Sequence, residues 1–452
     1  MANTKMQEAV ANQVEEQPKI GQRTASEALE HLGGFMTIKS IIPAAADMNP
    51  AKAATKKIFM TDKKYKAKRE ALASELKGWL EVLSLDKSNR LEYVEACNDL
   101  EKKYNTLLSE NVTNVLQETK QLETSYRTLD QFFKNAGEEK LYNLSIVNVS
   151  DSEFDDDSSN LSQEIDNLVR DRFDRLSMRE SFGLMVIPGY KMKEKPTLLK
   201  WAKIAHKYKV MMITDHDQER DFDSLMENTS GYKDSDAALQ NVVMTGNWIV
   251  GREKELLSNL EAEDDGKAFY VPASGALAGK LYDENANLAQ GAAGKKFGTL
   301  EDVKGVEVDL LKSQIATLMD NHVVPMVYSE GRVMAFNNST LYDGADKAMT
   351  EYPIVRVFDW VKKVLMNFVH DIACENWDPQ QSPKDLQEKI KAFLNSHMGY
   401  GGLFQDYKIE WPVQDPATNR VSIDVSIVPY FAAKNFTIRL SADKKEKNCE
   451  DL

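Results

Sequence analysis

Phe269-Tyr270-Val271-Pro272-Ala273-Ser274-Gly275-Ala276-Leu277-Ala278-Gly279-Lys280 opens the stretch on which the fold turns, and Gly291-Ala292-Ala293-Gly294-Lys295-Lys296-Phe297-Gly298 follows it. A helix-like segment then leads into two apolar runs, 323–327 and 333–336, joined by Ser329-Glu330-Gly331-Arg332 and expected as a strand pair. At first sight this is a nucleotide site. A phosphate loop, however, needs G-x-x-x-x-G-K-[ST], because its backbone amides ring the phosphate and its hydroxyl binds magnesium. Here Gly275 and Gly279 are one residue too close, Ser274 stands where the first glycine belongs, and Leu281 follows Lys280 in place of the hydroxyl. The loop 291–298 fails in the same way. The glycines therefore read as turns and close backbone approaches inside a packed α/β scaffold, and no cofactor is expected.

The totals set the class. A chain of 452 residues is too long for one ordinary core, and 42% hydrophobic with 28% charged residues is the composition of a soluble globular protein. A net charge of -14 argues against nucleic-acid binding, which needs a basic surface. The start of the chain lacks the layout of a signal peptide, and no apolar run approaches the roughly 20 residues that span a bilayer, so no membrane insertion is expected. Cys97, Cys374 and Cys449 fit neither a disulfide framework nor a zinc site and read as reduced, buried packing residues.

Residues 1–60 show no sustained period, yet Ile38, Ile41 and Ile42 crowd together. A solvated tail has no use for such a patch, so an arm docking on another chain is expected. From 63 to 133 the period is helical: Leu72, Leu76, Trp79 and Leu83, then Leu91, Val94, Cys97, Tyr104 and Leu107, then a third helix with Leu122, Tyr126, Leu129, Phe132 and Phe133. Stripes of this kind ordinarily face a core. A strand is expected over 141–149. The acidic run 152–157 lacks the glycine and terminal glutamate of a calcium loop, so it is expected to cap a helix carrying Leu161, Ile165, Leu168 and Leu176. Next, 182–188, 198–208 and 210–214 read as strand, helix and strand, a β-α-β unit under a sheet covered on both faces.

Asp215-His216-Asp217 follows that second strand, where α/β enzymes keep their chemistry, and invites a metal or general-base reading. Against it, adjacent residues of a strand point apart and no second histidine lies at ligand spacing. The six histidines form no H-E-x-x-H pair, no G-x-S-x-G elbow is present, and neither catalytic nor metal-binding residues are expected. Further on, Phe358, Val361, Leu365, Phe368 and Ile372 share one helical face. A second helix over 383–397, begun by Ser382-Pro383, buries Leu386, Ile390, Phe393 and Leu394. Val421, Ile423, Val425 and Ile427 then alternate with polar residues, as do Phe436, Ile438 and Leu440, and 441–452 is a charged tail.

The order of these pieces is similar to a known family. Leu122-Glu123-Thr124-Ser125-Tyr126-Arg127-Thr128-Leu129, Ile146-Val147-Asn148-Val149-Ser150-Asp151-Ser152-Glu153-Phe154, Arg179-Glu180-Ser181-Phe182-Gly183-Leu184-Met185-Val186-Ile187 and Ala202-Lys203-Ile204-Ala205 resemble the large subunit of the type VI secretion contractile sheath. Pro272-Ala273-Ser274-Gly275, Asn321-His322-Val323-Val324-Pro325, Tyr352-Pro353-Ile354-Val355-Arg356-Val357 and Val425-Ser426-Ile427-Val428-Pro429 resemble contractile tail sheaths more broadly, including those of phages. Residues 238–252 depart from the Pro- and Arg-rich strand of the better-known branch.

The resemblance implies a structural subunit in the bacterial cytoplasm, not an enzyme. It would pair with a small sheath subunit, stack with copies of itself as a helical tube around an inner tube protein, meet a baseplate, and contract. A separate AAA+ ATPase would recycle it. Its fold class is then mixed α+β (α/β): an arm over 1–60, a helical segment over 61–135, an α/β middle domain over 136–260, a sheath core domain over 261–440 and the tail. Ile38, Ile41, Ile42, Val421, Ile423, Val425, Ile427, Phe436, Ile438 and Leu440 would belong to arms and strands shared between neighbours. Lys384, Lys389 and Lys391 are candidates for facing the inner tube. The competing expectation is an α/β enzyme with its site at Asp215, His216 and Asp217.

Overall fold

A computed structural model describes residues 61–83, 90–137, 143–156, 159–175, 180–227, 229–253, 268–282, 288–371, 376–415 and 417–433. The expected arm with Ile38, Ile41 and Ile42, the last strand with Phe436, Ile438 and Leu440, the charged tail, Leu176, Ile372, Cys374 and Cys449 lie outside the described residues. In chain order the elements are α1 (Lys66–Leu83), α2 (Arg90–Asn135), α3 (Asp151–Phe154), α4 (Leu161–Phe173), β1 (Leu184–Ile187), α5 (Lys195–Lys207), β2 (Met211–Asp215), α6 (Phe222–Glu227), β3 (Val242–Gly246), β4 (Ile249–Arg252) and β5 (Phe269–Val271). They continue with α7 (Ser274–Tyr282), α8 (Gly294–Phe297), α9 (Lys312–Asp320), β6 (Val324–Ser329), β7 (Arg332–Ala335), α10 (Tyr352–Asp371), α11 (Ser382–His397), β8 (Phe404–Ile409), β9 (Val413–Asp415), β10 (Arg420–Ser422) and β11 (Val425–Pro429). The chain divides into two compact units, 1–115 with 257–264, and 116–256 with 265–452.

The larger unit is built on a five-stranded sheet in the order β1-β2-β3-β6-β7. The first four strands run parallel and β7 returns antiparallel to β6. Parallel strands need crossovers on their faces, and α5 supplies the first, entered through a proline in its opening turn. The period of two sorts the side chains. Met211, Ile213, Val243, Val324 and Met326 pack with Leu277 and Leu281 of α7 and with Tyr352 and Val355 of α10. Met212, Val242 and Met244 pack on the other side with Leu198, Trp201, Ala202 and Ala205 of α5 and with Leu161 and Val169 of α4. The expected strand pair is the β6–β7 hairpin, whose two turn residues, Glu330 (φ 52) and Gly331 (φ 78), take the left-handed conformation that matches strand twist.

The glycines of the opening stretch are packing residues. A Cβ at Gly275 would stand 2.5 Å from the Thr128 carbonyl oxygen, and one at Gly279 would stand 2.4 Å from that of Phe132. Only hydrogen at both positions lets α7 lie against the backbone of α2. Gly279→Ala is expected to force the two helices apart at a cost of about 1–3 kcal/mol, read as a lower urea midpoint with an unchanged slope.

Several expectations fail for physical reasons. The third helix is not separate, because no glycine or proline interrupts 90–135 and α2 runs on for 46 residues. Of the predicted strand over 141–149, the described part, 143–149, forms no strand and leaves Leu144, Ile146 and Val147 exposed. The acidic run does not cap α4. Ser150 instead caps the short α3, whose Phe154 stacks on Trp201 with centroids 5.4 Å apart, and α4 starts afresh at Leu161. The alternating run 421–427 is two strands, because β10 pairs with β9 while β11 pairs with β8. In the smaller unit Leu72 is buried, but Leu76, Leu91, Val94 and Tyr104, expected in a core, are exposed, and Cys97 is only half-buried.

Candidate assembly interface

Within the larger unit, the last turns of α2 are inside out. Their most buried residues are polar: Thr128, Gln131 and Asn135 are each at most 4% exposed, with Phe132 half-buried against the core beside them. Each finds a local partner, as burial requires. The Thr128 hydroxyl donates to the Thr124 carbonyl at 2.7 Å, and the Gln131 amide to the Asp302 carbonyl at 3.3 Å. The Asn135 amide nitrogen donates to the Gln131 carbonyl at 2.8 Å, while its oxygen accepts from the Glu301 N–H at 2.8 Å. Glu123 accepts from Arg127 at 2.7 Å and from Arg252 of β4 at 2.8 Å. Burial raises its carboxyl, but the two guanidiniums outweigh that and hold it below the usual carboxylate range.

The opposite face is apolar and bare. Leu122 (73% exposed), Tyr126 (66%), Leu129 (37%) and Phe133 (47%) follow one another at spacings of four, three and four. At 100° per residue they share an arc of roughly 60°. A helix that buries these polar residues and shows such a seam to water has reversed the ordinary arrangement, in which the apolar stripe faces the core. The period revealed the stripe; it carried no information about what covers it.

A second feature lies on β8 to β11. Two two-stranded sheets, β8 with β11 and β9 with β10, pack beside α10 and α11. Val421, Ile423, Val425 and Ile427 are half-buried against Val357, Val361, Leu386, Ile390 and Leu394 of this chain, while Ser422, Asp424 and Ser426 face water. Any sharing of these strands must therefore use backbone edges, not those four side chains. On α11 the three candidate lysines do not form one patch. Lys384 and Lys391, seven residues apart, share a flank, where Lys391 donates to Gln387 at 2.9 Å, and Lys389 lies on the other flank.

Asp215, His216 and Asp217 do not converge. Asp215, fully buried at the end of β2, accepts the Gly189 N–H at 2.8 Å, the Ser274 N–H at 2.8 Å, the Ser274 hydroxyl at 2.6 Å and the Thr245 hydroxyl at 2.5 Å. Burial pushes its carboxyl above the ordinary range and these donors oppose the shift. It staples β2, β3, the turn after β1 and the start of α7. His216 is 1% exposed, wedged between Tyr190 and Tyr232, and burial lowers its pKa. Asp217 caps the Gln218 N–H at 2.8 Å. Among the described residues no group of three or more His, Cys, Asp or Glu is placed to hold a metal.

Three family models divide the chain. The type VI secretion system TssC/VipB central domain matches residues 114–343, the TssC/VipB-like C-terminal domain 351–451, and the TssC/VipB-like N-terminal region 22–112. The chain belongs to the TssC/VipB family, the large subunit of the type VI secretion contractile sheath. Among curated proteins none matches it by sequence. Among solved structures, the contracted helical sheath of the anti-feeding prophage is 14% identical over 71% of this chain and 82% of that one, with a TM-score of 0.49. A baseplate structure of the same prophage gives 14% identity, 70% and 80% coverage and 0.49. The contracted PVC sheath complex of an extracellular contractile injection system gives 11%, 57%, 70% and 0.42. Membership rests on the sequence models.

In TssC/VipB terms, the central domain holds the inside-out end of α2, the five-stranded sheet and the Asp215 staple, and the C-terminal domain holds α10, α11 and the paired small sheets. The junction between the N-terminal and central matches, 112–114, lies beside the division of the structure at 115/116. No helix among the described residues is long and apolar enough to cross a membrane.

Proposed function

We propose that this chain pairs with a small sheath subunit through the bare apolar face of α2, and that the pairs polymerise as a helical tube around an inner tube protein and contract to propel it. The observation that carries the pairing is the inverted helix face: Leu122, Tyr126, Leu129 and Phe133 outside, Thr128, Gln131 and Asn135 inside. A helix laid along such a seam is a standard mode of recognition. Copies then join along strand edges. Among the described residues β11 is paired on one side only, and β8 is too beyond its bridge from Phe404 to Met398, so an extended segment of a neighbour can add to either edge; the patch Ile38, Ile41 and Ile42 and the strand with Phe436, Ile438 and Leu440 are the segments proposed to do so. Lys384 with Lys391 is the better candidate pair for the inner tube.

Contraction on this reading needs no nucleotide in the sheath. The extended array is the higher-energy arrangement of a bistable interface, released subunit by subunit. The work is done in the bacterial cytoplasm, with a baseplate to start assembly and a separate AAA+ ATPase to recycle contracted tubes. Co-expression with the small subunit is expected to yield a stable pair on a sizing column and tubes by electron microscopy. Removing residues 1–60 is expected to leave the pair and abolish contractile tubes. Long contractile tubes from the truncated chain would rule out the arm, and a lone monomer in the presence of the small subunit would overturn the whole reading.

A further inference from the structure

Among the described residues, Lys209, Arg356 and Lys363 line one cleft with a single carboxylate, Asp359; the other walls are Ser181, Phe182, Gly183, Met211, Leu288 and Trp360. Arg356, Trp360 and Lys363 fall on one face of α10. Counted over the described residues, three cations against one anion leave a formal charge of +2 in a partly dry space, and the hydrogen-bond partners described there do not cancel it. Arg356 donates to the Leu281 carbonyl at 2.7 Å and Lys363 to the Phe182 carbonyl at 2.8 Å, both neutral acceptors. Lys209 stands 3.9 Å from one Asp359 oxygen, and the other oxygen takes the Asn241 amide at 2.6 Å.

The cations are held at a cost that the fold of this chain alone does not explain. Burial lowers all three: Arg356 to about 10, Lys363 to about 8, and Lys209 downward as well, while burial raises Asp359. Lys209 also sits at φ 55, directly after α5, in the left-handed conformation where glycine ordinarily ends a helix. A lysine there keeps its charge in the cleft against the backbone's preference. Strained backbone beside unbalanced charge points to a ligand.

We infer that this cleft is a binding site for a small, doubly charged tetrahedral oxyanion of the inorganic phosphate class. The charge left over is +2, which a dianion cancels and a lone carboxylate does not. The cavity is about 130 Å³. Pockets for nucleotide-sized ligands run to roughly 300–1,000 Å³, whereas a cavity of about 150 Å³ accepts a benzene-sized guest, so the volume selects the bare oxyanion. Bound there, it would tie the β1–β2 side of the central-domain sheet to α10 of the C-terminal domain. This inference is independent of pairing or contraction.

The test uses the full-length chain, titrated with inorganic phosphate and with sulfate at ionic strength held constant with chloride, and followed by calorimetry and thermal unfolding. Expected are one saturable site and a midpoint that rises by several degrees at saturation, with chloride alone giving neither. Lys363→Met keeps the length of the side chain without its charge, and Lys209→Gly suits the left-handed backbone. Both are expected to unfold no earlier than the parent without ligand, and to bind the anion at least tenfold more weakly. Absence of saturable binding by the parent chain, or parent-like binding by both folded variants, overturns the site.

Discussion

Leu122→Lys combined with Tyr126→Lys is expected to abolish co-purification with the small sheath subunit while leaving the chain folded. Both side chains are mostly in water, 73% and 66% exposed, so their loss takes nothing from this chain's own core, and the unfolding midpoint should move little, within ~0.5 kcal/mol. At an interface the balance differs. Each truncation of a central apolar anchor removes about 2 kcal/mol, and each added ammonium would have to be desolvated or left unpaired. Together that is ~4 kcal/mol, about a thousandfold in affinity. Lys120→Asp, exposed on the same helix and about 150° around it from the seam, is the control and should pair normally. Measured by pull-down and calorimetry against the small subunit, equal affinity of the double variant and the parent would remove α2 from the interface. Loss of pairing by the control as well would mean that charge, not the seam, is being read.

The sequence carried this result only in part. The spacing of Leu122, Tyr126, Leu129 and Phe133 gave a helix and its apolar stripe, yet periodicity cannot tell a core from an interface, since both bury the same side chains. What decides between them is the other face. Thr128, Gln131 and Asn135 look like solvated residues in sequence, and only their bonds to Thr124, Asp302, Glu301 and one another show that they are the buried ones. The elements with the strongest local signals, α5 and α11 with their early prolines and the hairpin at Glu330-Gly331, stand within a few residues of where the spacing put them. The central strand β3, Val242–Gly246, leaves no signal in the sequence. It is short and buried on both faces, so it has no alternation to read. β8 was hidden for the opposite reason: Gln405-Asp406 interrupts its apolar residues, and its ladder with β11 slips at Val428/Pro429. In the opening stretch, the glycine spacing departs from that of a phosphate loop. That Gly275 and Gly279 serve a helix crossing could not be known before Thr128 and Phe132 were seen beneath them.

Asp215 separates an architectural carboxylate from a catalytic one, and its two substitutions should differ in a way that chemistry at the site would not produce. Asp215→Ala leaves two backbone N–H groups and two hydroxyls aimed at a cavity, all at the junction of β2, β3, the turn at Gly189 and the first turn of α7. A buried donor left unmade costs about 1–3 kcal/mol, and breaking a buried charged network typically costs ~3–5 kcal/mol in total, so a loss of that order is expected. Asp215→Asn keeps the volume and one acceptor oxygen. The hydroxyls of Ser274 and Thr245 can turn to accept from the new amide, but whichever way it points, it meets one backbone N–H that cannot turn, that of Gly189 or that of Ser274. One orphaned donor remains, and the expected cost falls to about 1–3 kcal/mol. Urea unfolding of the two variants beside the parent measures both values. A carboxylate that served only as a base would be free of these partners, and its replacement by Ala or Asn would leave the midpoint where it was. The ordering Ala well below Asn, and Asn below the parent, is the signature of a staple that holds α7, and through Gly275 and Gly279 holds α2, at the angle that presents the apolar seam.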